Sequence, residues 1–300
     1  MVHLAGSTCR ESCVPGRGDS MKGRPNSGSR ILLRGLLGSW LVHKATCPSE
    51  GDLARSAVVF APHPDDETLG CGGTIAMKKQ AGADVSIVFM TDGRRSNRHL
   101  MPEEQIKAIR RDEALAATGA LGVSQDRVIF LDFENGKLSQ HREAARRRVV
   151  EILDDGPQEV FVPYRGEPPL ASDEHRLTNQ IVLSALDRCR RRRLVYEYPV
   201  WLWDSWPWVP IAGQGLARKF RFMLRSARSS LALFLRFHCS VDIRSVLDLK
   251  RAALSCHRSQ MTRLVADPRW KTLPQMGDGE FLECFFGGYE TFWRHQLPKG

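Results

Sequence analysis

The stretch SAVVFAPHPDDETLGCGG, residues 56–73, decides the fold of this chain because it joins a strand to a helix through a polar turn. Residues 56–61 form a short apolar run of the kind that is buried in a parallel sheet. Residues 68–80 can continue as a helix. In open α/β sheets, turns at the carboxyl ends of strands are where ligands bind, so we predict a functional site in this turn.

The residue types in the turn are those of a hydrolytic metal site. His63 offers an imidazole nitrogen and Asp66 a carboxylate oxygen, and both suit zinc or a related divalent ion. Asp65 is left free, and a carboxylate beside a bound metal is well placed to take a proton from water. The prolines on either side of His63 favour an extended backbone that holds it in place. The alternative is that the acidic residues only cap the helix and complement its dipole.

A family resemblance rests on this turn and on five further segments. The string His63-Pro64-Asp65-Asp66-Glu67 after an apolar strand resembles the signature of the LmbE/PIG-L family of zinc-dependent N-deacetylases, which hydrolyse N-acetylglucosamine-type amides. The other similar segments are TDG (91–93), IRRDEALAATGALGV (109–123), FLDFENGK (130–137), SDEHRLTN (172–179) and KRAALSCHRSQ (250–260). Together they extend the resemblance over residues 55–290.

The resemblance implies specific roles for five residues. His63, Asp66 and His175 are the implied zinc ligands, and iron(II) can occupy a site of this composition. Asp65 is the implied general base, which takes a proton from the attacking water. Arg110 is the implied substrate contact.

The chain departs from the family pattern at Ser172, where many members carry a second histidine. This departure leaves the general acid open between Asp65, once it is protonated, and another residue such as His257. Asp173 and Glu174 are expected to cap the helix that begins beside them, and contact with a metal-bound histidine is the alternative.

The chain as a whole fits one α/β catalytic domain with an extension. Strand-like runs near residues 56, 84, 127, 158 and 194 alternate with helical stretches, which is typical of βαβ units. We therefore predict a Rossmann-like, mostly parallel sheet flanked by helices, and the resemblance implies an LmbE-like deacetylase fold. Residues 1–50 are predicted to be a disordered extension, and residues 51–300 the catalytic domain with a basic and aromatic insertion at 204–240.

Positive charge is concentrated in a few segments of a chain whose formal net charge is +10. The basic runs at residues 146–148 and 189–193 are typical of solvated surfaces near helices. The basic and apolar segment 218–236 follows the aromatic string WLWDSWPW at 201–208. An ordinary packed insertion, a lid over the substrate, and a surface for lipid or nucleic acid all remain open for it.

We predict a zinc-dependent hydrolase that removes the acetyl group from an N-acetylated amino sugar in a small-molecule or glycoconjugate substrate. The alternatives are hydrolysis of another amide in secondary metabolism, and a non-catalytic binder of polyanions or membrane surfaces. No nucleic-acid partner is expected, and peripheral membrane contact stays open. The eight cysteines lack CxxC spacing, so they indicate neither structural zinc nor a disulfide framework and fit a cytoplasmic location.

Overall fold

The computed structural model describes residues 27–46, 48–154, 156–168, 173–189, 191–211 and 215–297. The strands in these ranges are β1 (Ala57–Ala61), β2 (Val85–Thr91), β3 (Val128–Phe133), β4 (Glu159–Pro163), β5 (Arg193–Tyr198), β6 (Cys239–Asp242) and β7 (Tyr289–Leu297). The α-helices are α1 (Ser27–Lys44), α2 (Glu50–Leu53), α3 (Asp66–Gln80), α4 (Glu103–Ala120), α5 (Arg142–Asp154), α6 (Glu174–Leu186), α7 (Leu216–Arg236), α8 (Leu247–Cys256), α9 (Arg258–Met261) and α10 (Glu280–Glu283).

The strands form one sheet in the order β3-β2-β1-β4-β5-β7-β6. Strands β1 to β5 are parallel to one another, and β7 pairs antiparallel with both β5 and β6. The predicted Rossmann-like, mostly parallel sheet is confirmed, since the five predicted strands are β1 to β5. The antiparallel strands β6 and β7 were not predicted. Glu290 and Arg294 interrupt the apolar pattern of β7, and pairing with β5 and β6 determines its conformation instead.

Two layers of helices cover the sheet. Successive side chains of a strand point to opposite faces, so Val58 and Phe60 pack on one side while Val59 and Ala61 pack on the other. Helices α5 and α6 complete the first core, and α3, α4 and α8 contribute to the second. The central strands β1 and β4 are buried along their whole length, which explains their continuous apolar sequences.

The N-terminal part of the chain differs from the prediction of disorder up to residue 50. Residues 1–26 lie outside the described residues, but residues 27–44 form helix α1. Leu41 is buried, and Leu37 and Trp40 pack against the main core. Arg30 also forms a bidentate ion pair with Glu280. These tertiary contacts stabilise a helix whose sequence alone did not indicate an attachment to the domain.

A buried ion pair joins α3, α8 and β7. The Lys250 Nζ donates to Glu290 Oε1 at 2.7 Å and to the carbonyl of Leu69 at 2.9 Å, and both charged side chains are almost fully buried. Glu290 also accepts hydrogen bonds from the backbone of Gly73 and Thr74. Lys250, in the KRAALSCHRSQ segment, therefore holds helix α8 against the start of α3.

Replacing Lys250 with methionine is expected to lower the free energy of unfolding by about 3–5 kcal/mol, because Glu290 remains buried without its cation. Chemical denaturation measures this loss. Arg251→Ala is the matched control, since Arg251 is the next residue and its ion pair with Asp248 is exposed. The control is expected to cost less than about 1 kcal/mol. Equal losses in the two variants would show that the buried pair has no special role.

Candidate active site

The candidate site lies where the order of the sheet reverses. Strand order β3-β2-β1-β4-β5 places β1 and β4 side by side, with the chain winding outward in opposite directions from them. The loops after such a pair of strands separate and leave a crevice at the carboxyl edge of the sheet. The turn after β1 carries His63, Asp65 and Asp66, and helix α6 after β4 carries His175. The fold therefore brings together residues that are over 100 positions apart in the sequence.

Three of the predicted residues form a cluster that suits a metal ion. His63, Asp66 and His175 each offer a ligand atom, and these atoms lie within 4.8 Å of one another. Asp66 Oδ2 is central, at 3.1 Å from His63 Nδ1 and 3.3 Å from His175 Nε2. Two imidazoles and one carboxylate are a ligand set of catalytic zinc sites and of some iron(II) sites. The donor set present here thus fits a divalent ion with at least one coordination position left open.

Glu174 holds the far side of the His63 ring. Its Oε2 lies 2.8 Å from His63 Nε2, while Nδ1 of the same ring faces Asp66. Burial disfavours the charged imidazole, but the hydrogen bonds to Asp66 and Glu174 outweigh it and raise the pKa of His63 to about 10. A metal ion bound at Nδ1 must therefore displace a proton, and the N–H at Nε2 can stay bonded to Glu174.

Glu174 is itself held by the turn that follows β3. Asn135 Nδ2 and the backbone N–H of Gly136 both donate to its carboxylate, at 2.5 and 2.6 Å. Asp92, after β2, accepts a hydrogen bond from the backbone of Asn135. The ends of β2 and β3 thus support His63 through Glu174. Asp173, the residue before Glu174, pairs with Arg176 and makes no capping hydrogen bond. The prediction that Asp173 and Glu174 cap helix α6 is therefore wrong.

Asp65 stands beside the cluster in an unusual backbone conformation. Its φ of 128° is one that residues other than glycine rarely adopt, and such strain is concentrated at functional sites. It precedes α3 but makes no side-chain capping hydrogen bond, so the capping alternative does not explain its position. Burial raises the pKa of Asp65 to about 6, although Arg110 opposes the shift. A carboxylate with such a pKa suits a general base near neutral pH.

Arg110 contacts the same turn from helix α4. Its Nη2 lies 3.2 Å from Asp65 Oδ2 and also donates to the carbonyl of Pro64. The side chain is only 4% exposed, and its second terminal nitrogen lies 3.4 Å from the carbonyl of Gly93. These contacts fix the strained turn and Asp65, and a contact of Arg110 with substrate stays a prediction.

A buried glutamate and histidine lie beneath Asp65. Glu67 accepts a hydrogen bond from the backbone N–H of Asp65 at 2.9 Å, and its other oxygen lies 2.9 Å from His257 Nε2. His257 is fully buried. Burial disfavours its charged form, but Glu67 outweighs this and raises the pKa of His257. The structure thus uses His257 to hold Glu67, whereas the sequence had suggested it as one alternative for the general acid.

A further contact to the cluster comes from the turn after β5. The Trp201 indole N–H donates to His175 Nε2 at 3.1 Å. Glu167 accepts hydrogen bonds from the backbone N–H groups of Val200 and Trp201, which fixes this turn. Burial raises the pKa of Glu167 to about 7. No sequence pattern indicated either residue. Ser172, the departure from the family pattern, lies outside the described residues.

Replacing Glu174 with glutamine is expected to weaken metal binding by about 10–100-fold, because the His63 ring loses its charged acceptor. Titration of the metal-stripped protein with zinc measures the affinity. Asp173→Asn is the matched control, since it removes the same charge one residue away at an exposed position. Equal affinities for the Glu174 variant and the wild type would contradict the role given to Glu174.

Comparison with known sequences identifies the segment that holds this site. Residues 58–186 match the family model described as PIG-L, GlcNAc-PI de-N-acetylase. This segment belongs to the PIG-L family. The PIG-L segment runs from β1 to α6, so it contains all three residues of the metal cluster and the adjacent Asp65.

Relatives and structural neighbours extend the comparison beyond the PIG-L segment. The chain is 26% identical over 248 residues to the 1D-myo-inositol 2-acetamido-2-deoxy-alpha-D-glucopyranoside deacetylase 2 of Catenulispora acidiphila, covering 71% of this chain and 82% of the relative. The N,N'-diacetylchitobiose deacetylase from Pyrococcus horikoshii has a similar structure, with a TM-score of 0.56, 20% identity, and coverage of 93% and 95%.

The fold is also shared with a protein of a different reaction class. The 4-carboxy-2-hydroxymuconate hydratase from Pseudomonas putida superimposes with a TM-score of 0.54 at 17% identity, covering 82% of this chain and 97% of that one. Structural likeness at this level of identity shows the fold alone. The reaction must therefore be argued from the site itself.

Proposed function

We propose that this protein is a metal-dependent N-deacetylase that hydrolyses the acetamido group of an amino sugar. The observation that carries the proposal is the cluster of His63, Asp66 and His175 with the buried carboxylate of Asp65, which is not one of the clustered ligands, beside it. This arrangement supplies a divalent-ion site and a separate general base, which are the two requirements of metal-assisted amide hydrolysis.

Different residues of the chain have different roles in this reaction. A divalent ion held by the three ligands would supply Lewis-acid polarisation of the acetyl carbonyl and would acidify water. Asp65 takes the proton of the attacking water, and Arg110 and Glu67 hold Asp65 in position. Protonated Asp65 then returns a proton to the leaving amine, a role that many family members give to a histidine at the position of Ser172.

The proposed substrate is an N-acetylglucosamine-type glycoconjugate. The Catenulispora relative, a deacetylase named for a 1D-myo-inositol 2-acetamido-2-deoxy-alpha-D-glucopyranoside, supports this class. We propose zinc as the metal, with iron(II) as the alternative that the same donors accept. We propose a cytoplasmic location, because the eight cysteines lack the spacing of a disulfide framework. We further propose that residues 51–300 act as one catalytic domain.

Acetate release from a panel of substrates tests the proposal. The zinc-loaded protein is incubated with N-acetylglucosamine, with its glycosides, and with N-acetylated amino acids as a second class of amide. Release of acetate and free amine in equal amounts from the sugars, with little from the amino acids, is the expected result. Preferred hydrolysis of the amino acid amides would instead favour the alternative of another amide, and no hydrolysis of either class would overturn the proposal.

A further inference from the structure

Helix α7 exposes an apolar face to solvent. Five large side chains are spaced by four, four, seven and four residues and therefore share one side of the helix. They are Leu216, Phe220, Leu224, Leu231 and Leu235, which are 88, 70, 54, 57 and 62% exposed. The side that packs against the protein is a different one, formed by Phe222, Ser226, Ser229 and Leu233. We refer to the five exposed residues as the apolar face of α7.

This apolar face is bordered by positive charge. Helix α7 contains six arginine or lysine residues and no acidic residue. In the described part of the chain, no carboxylate pairs with Arg218, Lys219, Arg221 or Arg228, all of which are exposed. An exposed apolar stripe beside unpaired cations is the pattern of a helix that lies in the interface of an anionic lipid bilayer.

The helix is fixed in this orientation by its buried side. Arg225 donates to the carbonyl and carboxylate of Asp204, and Ser226 Oγ accepts from the backbone N–H of Trp206 at 2.9 Å. Trp40 of α1 stacks on Phe234 with ring centroids 3.6 Å apart. Because these contacts hold the packed side, the apolar face cannot be buried in the core by rotation of α7.

Helix α1, whose Trp40 stacks on Phe234 of α7, also exposes apolar side chains. Ile31, Leu32 and Leu36 of α1 are 56, 66 and 61% exposed. No helix in the described ranges is long and apolar enough to cross a bilayer. A lipid contact through these helices would therefore be peripheral.

We propose that the apolar face of α7 docks on an anionic lipid surface, with Lys219, Arg221 and Arg228 contacting the headgroups. Charge favours the lipid surface over a second copy of the chain as the partner. Two α7 helices packed face to face would place their arginines opposite one another in an interface without water. A nucleic acid would neutralise the arginines but would leave the leucines and Phe220 in water.

The packed side of α7 is also connected to the candidate active site. The segment 201–206 both contacts His175 through Trp201 and anchors α7 through Asp204 and Trp206. The docking proposal itself does not depend on the proposed reaction, since it rests on α7 alone.

Co-sedimentation with vesicles tests the proposal. The full chain is mixed with vesicles of phosphatidylcholine alone or of phosphatidylcholine with phosphatidylglycerol. Binding is expected to the second kind only and to weaken as salt is added. Leu224→Gln/Leu231→Gln should reduce partitioning by about tenfold for each leucine, and Arg221→Glu/Arg228→Glu by at least about fivefold for each arginine.

Control variants separate docking from net charge and from catalysis. Arg147→Glu/Arg188→Glu makes the same charge change on α5 and in the turn after α6, at the other face of the sheet, and should bind vesicles nearly as the wild type does. The Leu224→Gln/Leu231→Gln variant should release acetate from a water-soluble substrate at the wild-type rate. Loss of vesicle binding and loss of acetate release are thus measured separately.

Three results would overturn the proposal. The first is wild-type protein that stays in the supernatant with both vesicle types. The second is a dimer of the wild type that becomes a monomer in the leucine variant, which would assign the face to self-association. The third is salt-dependent binding to a labelled oligonucleotide that is lost in the Arg221→Glu/Arg228→Glu variant but unchanged in the leucine variant.

Discussion

Replacing Asp65 with asparagine is expected to reduce acetate release by about 10²–10⁴-fold while the protein still binds its metal. Asparagine has nearly the shape of aspartate and can keep a contact with Arg110, but it cannot take a proton from water. The metal cluster does not include Asp65, so the metal content is expected to be unchanged. Steady-state acetate release and elemental analysis of the same samples measure the two quantities.

The matched control for this variant is Asp112→Asn on helix α4. Asp112 is exposed and lies outside the site, and the substitution makes the same change in charge. Its activity is expected to equal that of the wild type. An Asp65→Asn variant with wild-type activity would remove Asp65 from the mechanism, whereas loss of activity together with the metal would make Asp65 a structural or ligating residue instead of a base.

Replacing His175 with alanine is expected to abolish stoichiometric metal binding and, with it, hydrolysis. The remaining pair of His63 and Asp66 offers too few donors for a zinc site, which takes three protein ligands in catalytic centres. The loss of affinity should exceed the roughly 10–100-fold that follows removal of a supporting contact such as Glu174. Zinc titration of the stripped variant, with acetate release at each addition, measures both effects.

His99→Ala controls for the loss of an imidazole, because His99 is exposed and is not one of the residues of the metal cluster. It is expected to bind zinc and release acetate as the wild type does. One equivalent of tightly bound zinc in the His175→Ala variant would place the metal elsewhere in the protein.

The sequence predicted the parts of this structure that local patterns specify. Buried parallel strands have continuous apolar sequences, so β1 and β4 could be recognised directly. The turn after β1 combines ligand, base and helix start within a few residues, and it could be interpreted without a structure. His175 was assigned by resemblance, because nothing in its own surroundings identifies a ligand to a site after β1.

The supporting contacts could not be predicted because they join distant segments. Glu174 looked like a helix cap in the sequence, and only the approach of α6 to the turn after β1 brings it to His63. Trp201 meets His175 through a turn whose shape depends on buried Glu167. Helix α1 is likewise held by tertiary contacts such as that of Arg30 with Glu280. Such contacts depend on the packed fold and leave no local periodicity.

The cluster of His63, Asp66 and His175 is expected to bind the ion that the reaction requires. The most direct measurement is acetate release from an N-acetylglucosamine conjugate while the metal-stripped wild-type protein is titrated with zinc. Activity is expected to be absent at the start, to rise in proportion to bound zinc, and to reach its maximum at one equivalent. Full activity in the stripped protein, or no activity at one equivalent of bound zinc or iron(II), would show that the cluster does not bind a catalytic ion.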